Sequence, residues 1–228
     1  MTTRLRRLGL VLTIVGLVFA AGGAFAFIKT QEGYRSLNAF SAAQNVKLAY
    51  NEQGQLTDGG DPAKAAVIMS LLTNEWGYAT NPADFDPNDP VINTASEYMY
   101  QMAAISEHTL TSTVKVTLTE DVTASDGTVY KAGTYDFPVN GRYYSEFDRS
   151  NPIEAQARGL AWSPLPLSLI GQLGVGAVTA SSLQMGIGIA GLFAAVGFVF
   201  AFAGLGLVWA ARPEKETVTV LRPSVQPA

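Results

Sequence analysis

A run of 53 residues, from Gly159 to Ala211, carries no Asp, Glu, Lys, Arg or His and is closed at its ends by Arg158 and Arg212. Its second half, Met185 to Trp209, is almost wholly apolar for 25 residues, longer than the about 20 that cross a hydrocarbon layer about 30 Å thick. Core helices of soluble proteins are shorter and keep a polar face, so a transmembrane helix is expected over residues 183–211. A second candidate follows Arg4, Arg6 and Arg7: Leu8 to Ile28 is uncharged, with Thr13 as its one polar side chain. A cleavable signal peptide competes there, because Ala24-Phe25-Ala26 fits a small-x-small cleavage pattern. The apolar length, which continues to Ile28, favours a retained anchor over residues 8–28.

Charge is distributed unevenly around these runs. Residues 1–28 carry +3, residues 29–182 hold nine basic against 17 acidic side chains, and residues 183–228 carry +1. Three arginines precede the first run, and Arg212, Lys215 and Arg222 follow the second, which places both ends in the cytoplasm and the middle outside it. The expected fold class is a membrane protein with two transmembrane α-helices flanking an extracytoplasmic α+β domain that contains a small antiparallel sheet. Its segments are a basic cytoplasmic N-terminus (1–7), the first span (8–28), the domain (29–158), a membrane-proximal apolar segment (159–182), the second span (183–211) and a cytoplasmic tail (212–228). An acidic middle disfavours nucleic acid as a partner. The absence of Cys removes disulfides, thiolate nucleophiles and thiolate metal ligands.

Between the spans the period changes several times. Gln31–Gln44 can prolong the first helix, and Val46, Leu48 and Tyr50 alternate as a short strand. Asp61-Pro62 has the form of an N-cap before a first-turn proline, opening a helix to Glu75 with Gly77 beyond it. Thr94-x-x-Glu97 matches a capping box for a helix from Ala95 to about Leu110. Alternation over Val114–Leu118, an Asp126-Gly127 turn, Thr128–Tyr130, Thr134–Val139, an Asn140-Gly141 turn and Arg142–Ser145 predict an aromatic-rich antiparallel meander. Pro164 and Pro166 argue against one unbroken helix from Leu160 to Trp209. The apolar residues between Leu160 and Leu173 then form either a short surface-lying helix anchored by Trp162 or a cover for the domain's core.

Small residues recur at four-residue spacing in both spans: Gly16, Ala20 and Ala24 in the first, Gly186, Ala190 and Ala194 in the second, with Gly197 and Ala201 beyond. Such faces let helices approach closely, on each other or on a partner. Neither span holds an ionisable residue, which argues against a proton relay or ion pathway within them.

Candidates for chemistry are few. Asp84, Asp86 and Asn88 stand at positions 1, 3 and 5 of a calcium-loop template, but Asp89 occupies the position needing Gly and Ala95 the one needing a bidentate Glu. The set Asp84, Asp86, Asn88 and Asp89 is a weak metal candidate beside the simpler reading of a solvated, Pro-punctuated loop. His108 is the single histidine; near a helix C-terminus it reads as a dipole partner before it reads as a general base. A serine hydrolase using His108 is arithmetically possible without a nucleophile elbow to support it. No cofactor is expected.

Gly33-Tyr34, the Val46–Tyr50 strand, the Thr94–Met102 run, Gly141-Arg142-Tyr143 and Arg158-Gly159-Leu160-Ala161-Trp162 together carry a resemblance. The chain resembles an uncharacterised family of actinobacterial two-span membrane proteins, along its length from first span to last. The resemblance implies a bacterial plasma membrane. Some members of such families carry an aromatic ring-opening dioxygenase label, but an extradiol iron site needs two imidazoles and this sequence has one histidine. The expectation is a non-catalytic accessory or interaction subunit whose partners are membrane lipid and another membrane or envelope protein. The alternatives are an extracytoplasmic cation or small-ligand module and, third, the serine hydrolase.

Overall fold

The computed structural model describes residues 2–212; the expected tail beyond Arg212, with Lys215 and Arg222, lies outside them. The chain runs as α1 (Thr2–Gln44), β1 (Ala49–Tyr50), β2 (Leu56–Thr57), α2 (Pro62–Ser70), α3 (Ala95–Leu110), β3 (Thr113–Leu118), β4 (Val122–Thr123), β5 (Val129–Tyr130), β6 (Gly133–Pro138), α4 (Pro152–Ala161) and α5 (Pro164–Ala210). Two long apolar helices, α1 and α5, thus flank a central α+β region with small antiparallel sheets. The chain divides into two compact units, one made of the segments up to Gln31 and from Met185 onward, the other of Glu32–Gln184.

In the first unit α1 and α5 pack antiparallel along a seam that repeats every seven residues. Gly9, Gly16, Gly23 and Thr30 are buried on α1, and Ala190, Gly197 and Gly204 on α5, with Ala211 just past its end. A seven-residue repeat keeps one stripe facing the partner helix when the pair winds left-handed. Backbones touch at this seam: a Cβ on Gly9 would lie 2.6 Å from the Gly204 carbonyl oxygen, and one on Gly23 2.7 Å from the Ala194 nitrogen. The expected small-residue faces do meet here, Gly16 against Ala201 and Gly197, Ala20 against Gly197, and Ala190 and Ala194 against Gly23, with Ala24 as the exception. Ala24 is exposed and Ala20, Ala194 and Ala201 are half-buried, because a row of every fourth residue winds slowly around the helix and leaves the contact line. Phe19 packs between layers, its ring 5.4 Å from that of Phe193 and 6.3 Å from that of Phe200. The faces opposite the seam point away from it: Val18 is 66% exposed, Phe202 70% and Trp209 69%. Thr13 and Thr30 return their hydroxyl protons to the carbonyls of Gly9 and Ala26 at 2.8 and 2.9 Å, so neither presents a bare polar group. Long helices this apolar and this exposed suit a membrane anchor, where lipid replaces water around them.

The second unit is organised around α3. Its start is the expected capping box: Thr94 Oγ1 accepts from the Glu97 N–H while Glu97 reaches back to the Thr94 N–H. Asp61 likewise caps α2 through the Ala63 N–H at 2.8 Å, with Pro62 following. Beyond Ser70 that helix widens into a π-helical turn, Leu71–Glu75, before Gly77 turns the chain at φ +65°. Ile68, Leu72, Val116 and Val139 are fully enclosed, and Leu37, Trp162, Ala177 and Ala180 belong to the same core. The parts of α1 and α5 in this unit are therefore walls of its core. Ile170, Leu173, Ala177 and Ala180 cover this core while Leu160, Leu165, Leu167 and Leu169 stay exposed, and α5 runs unbroken to Ala210. The prolines cause no interruption after Ser163 because they occupy the first turn, whose N–H groups have no helical acceptor in any case. The break the prolines foretold falls at Trp162-Ser163, between α4 and α5. Trp162 is 5% exposed and donates Nε1–H to the Arg142 carbonyl at 3.1 Å, so it is a core residue of this unit.

The sheet region differs from a meander. β3 pairs with β6 from Thr113↔Pro138 to Leu118↔Gly133, and the shorter β4–β5 ladder lies between them in sequence. This is one interrupted hairpin. Asp121 marks the interruption by accepting from the Ala132 N–H at 2.9 Å and from Lys131 Nζ at 2.7 Å. Arg142–Ser145, expected as a strand, is a turn instead, since the Glu146 carboxylate accepts the Tyr143 N–H at 2.6 Å. The Val46–Tyr50 strand shrinks to β1, paired with β2, and a single bridge from Lys47 to Val91.

Candidate functional site

Two concave surfaces lie on the second unit, one on either side of the line where α3 meets α5. The first is an open depression of about 470 Å³. The π-helical turn delivers Trp76 to it, the turn after Gly141 delivers Tyr143 and Tyr144, and the end of α4 supplies Trp162. Trp76 donates Nε1–H to the Tyr143 hydroxyl at 2.9 Å, and the Tyr143 ring stacks on Trp162 with centroids 6.1 Å apart and planes 19° apart. Two guanidinium groups brace this wall. Arg158 lies 4.6 Å from the centroid of Tyr144, and Arg142 lies 5.0 Å from that of Phe137, distances at which a cation is attracted to the ring face. Arg142 Nη1 also stands 3.3 Å from Glu154 Oε2, a meeting of charges rather than an aligned hydrogen bond.

The second surface is a groove of about 570 Å³ between α1, α3 and α5. Its floor is the buried hydrogen bond between Ser41 Oγ and the Tyr98 hydroxyl, 2.8 Å long. Tyr98 fits there because residue 176 is glycine: a Cβ at Gly176 would lie 2.5 Å from its ring. Leu37, Phe40, Ile105 and Leu173 form the sides, Gln44, Gln101, Gln172 and Thr179 supply neutral polar groups, and no charged side chain lines it.

The acidic loop keeps its carboxylates in local bonds. Asp84 closes a short 3₁₀ turn and accepts from Asn81 Nδ2 at 2.8 Å; Asp86 accepts from the Asn88 N–H at 2.8 Å and its Nδ2 at 2.9 Å; Asp89 takes a longer contact, 3.4 Å, from Asn93. Among the described residues no three His, Asp or Glu side chains converge as a metal site would need. His108 sits in the last turn of α3 and pairs through Nε2 with Asp58 at 2.9 Å, on the surface.

Glu97 is 1% exposed, and its Oε2 accepts from the Asn93 N–H, the Thr94 N–H and the Thr94 hydroxyl at 2.9 to 3.0 Å. Burial pushes its pKa up, and the three hydrogen bonds offset part of that shift. The hydroxyls of Tyr50 and Tyr100 are buried without a hydrogen-bond partner, and both pKa values are pushed up to about 12, first by burial and then by nearby carboxylates, Glu97 for Tyr50 and Asp58 for Tyr100. Compared with protein-family models, curated proteins and solved structures, the chain finds no match in any of the three.

Proposed function

We propose that this chain is a non-catalytic, membrane-anchored protein of the bacterial cell envelope that serves as an accessory or interaction subunit of a membrane complex. In this reading the apolar spans 8–28 of α1 and 183–211 at the end of α5 lie in the plasma membrane, both termini are cytoplasmic, and the domain between the spans stands outside. Arg4, Arg6 and Arg7 before the first apolar run and Arg212 after the second support that orientation. The observation that carries the docking role is the depression built from Trp76, Tyr143, Tyr144 and Trp162 with Arg158 beside it. Trp, Tyr and Arg are the residues that contribute most when a partner excludes water from a preformed surface. The partner is another envelope membrane protein that presents an apolar side chain to this depression.

Purification of the full chain from native membranes in mild detergent tests the proposal. A stoichiometric partner is expected with the parent and is expected to be lost from a Tyr144→Ala variant, whose side chain is 44% exposed and can be removed without opening the core. Recovery of the parent alone as a monodisperse monomer contradicts it.

A further inference from the structure

We infer that the partner docked at the aromatic depression sets an Asp or Glu side chain on the Arg158 guanidinium, beside the apolar side chain that fills the depression; this deepens the docking reading above and rests on it. Arg158 is half-buried, and its Nε is enclosed without a hydrogen-bond acceptor. Among the described residues no carboxylate pairs with it, and the contact it makes instead is with the Tyr144 ring, 4.6 Å from guanidinium carbon to centroid. The lack is not for want of anions. Residues 29–182 carry 17 acidic side chains against nine basic, and Arg142, the other guanidinium on this wall, stands 3.3 Å from Glu154. Glu154 also accepts the Asp148 N–H at 2.9 Å, and Glu146, in the turn that carries Tyr144, accepts the Tyr143 N–H at 2.6 Å. The carboxylates of this wall are thus committed elsewhere. A partly desolvated guanidinium with an unmet N–H is costly until an acceptor arrives. A ring face attracts its charge but offers no lone pair in its plane, whereas a carboxylate matches its flat fork of donors. Tyr144 joins the two features, because the same ring lines the depression and carries the guanidinium. A segment seated against Trp76 and Trp162 therefore brings its neighbouring residues to Arg158, giving an apolar centre with a charge at the rim. Capture of a chain terminus uses a nest of backbone N–H groups. Here the N–H groups at the ends of the turn are spent, that of Tyr143 on the Glu146 carboxylate and that of Glu146 on the Tyr143 carbonyl, so the carboxylate comes from a side chain within the partner. The unit's acid excess repels such a group at a distance, and the contact accordingly sets register and lifetime rather than speed of encounter.

The full chain, purified with its partner from native membranes in mild detergent, is treated with a zero-length carbodiimide, which joins amines to carboxylates in contact and leaves guanidinium groups untouched. Arg158→Lys is expected to keep the partner and to give a cross-link from position 158 to an Asp or Glu inside the partner's chain, absent from the parent. Arg158→Glu is expected to lower partner recovery roughly tenfold or more with the chain's thermal midpoint near the parent's, since the side chain is only half-buried; if that variant unfolds, the cross-link decides alone. Partner-bound Arg158→Lys without a cross-link at 158, or full recovery with folded Arg158→Glu, overturns the carboxylate contact and spares the docking reading, which Tyr144→Ala tests separately. Equal loss of the partner from Arg158→Lys and Arg158→Glu overturns it in favour of Arg158 acting only by shaping Tyr144. A cross-link to the partner's C-terminal carboxylate overturns it in favour of chain-end capture, one to a second copy of this chain in favour of self-association, and one to this chain's own Glu146 or Glu154 in favour of internal pairing. Recovery of the parent without any partner overturns the docking reading itself.

Discussion

Replacing Gly16 by Leu tests whether the two apolar helices are held by backbone contact. A Cβ at Gly16 runs into the Ala201 backbone nitrogen and lies 2.6 Å from the Gly197 carbonyl oxygen. The obstacle is main chain, which cannot rotate aside, so the cost belongs at the upper end of the about 1–3 kcal/mol for overpacking. Leu regains about 1 kcal/mol of helix propensity over Gly. The net of about 2 kcal/mol is close to a 30-fold shift towards separated helices. Gly22→Leu is the control on the same helix: its Cβ meets only Phe193 Cδ1, at 3.7 Å. Because the chain has no native cysteine, Phe19→Cys with Phe193→Cys gives a clean readout with a short bis-maleimide, which spans the gap left where those rings meet at 5.4 Å. Cross-linking between these positions in reconstituted vesicles is expected to fall by an order of magnitude with Gly16→Leu and to persist with Gly22→Leu. Equal cross-linking in both would refute a close-contact seam.

Other consequences follow from the second unit. Tyr98→Phe leaves the buried Ser41 hydroxyl without its partner and should lower unfolding stability by about 1–3 kcal/mol, measured by denaturation in detergent; no change would show that the bond is exchanged for water. Glu97 has a folded-state pKa above its ordinary 4.5, so the native state binds more protons than the unfolded one and stability falls as pH rises from about 4.5 through the raised value, then levels. Thermal midpoints from pH 4 upward should show that decline in the parent and not in Glu97→Gln. Tyr50 and Tyr100, at about 12 against 10.0 unfolded, add a second loss of stability from pH 10 upward, which Tyr50→Phe should reduce. Calcium is expected to leave the thermal midpoint unchanged, since Asp84 and Asp86 already accept hydrogen bonds within their own loop; a rise that Asp86→Ala abolished would establish a cation site there.

Features set by neighbours in the chain were legible from sequence. Asp61-Pro62, Thr94 with Glu97, Asp126-Gly127 and Asn140-Gly141 each need partners one to three residues away, and each behaves as its local chemistry demands. The apolar runs were legible because hydrocarbon thickness imposes a length. What escaped depends on contacts between distant segments. The seam period appears only when Gly9, Gly16 and Gly23 are read against Gly204, Gly197 and Ala190; on one helix alone, four-residue spacing looks equally good. Pro164 and Pro166 mislead because their effect depends on whether they fall in a first turn, and α5 begins at Pro164 itself. Trp162 looks like an interfacial anchor until the Arg142 carbonyl, 20 residues away, is known to take its N–H. His108 and Asp58 meet across 50 residues, and the groove is made by three helices that no local pattern brings together.

Accessibility of a cysteine placed at Ser125, on the exposed hairpin of the second unit, to a membrane-impermeant maleimide in intact cells tests the central claim most directly. The account predicts labelling of Ser125→Cys from outside, labelling of Thr3→Cys only after permeabilisation, and retention of both proteins in the membrane pellet after alkaline carbonate. Protection of Ser125→Cys in intact cells, or release of the chain by carbonate, would contradict it.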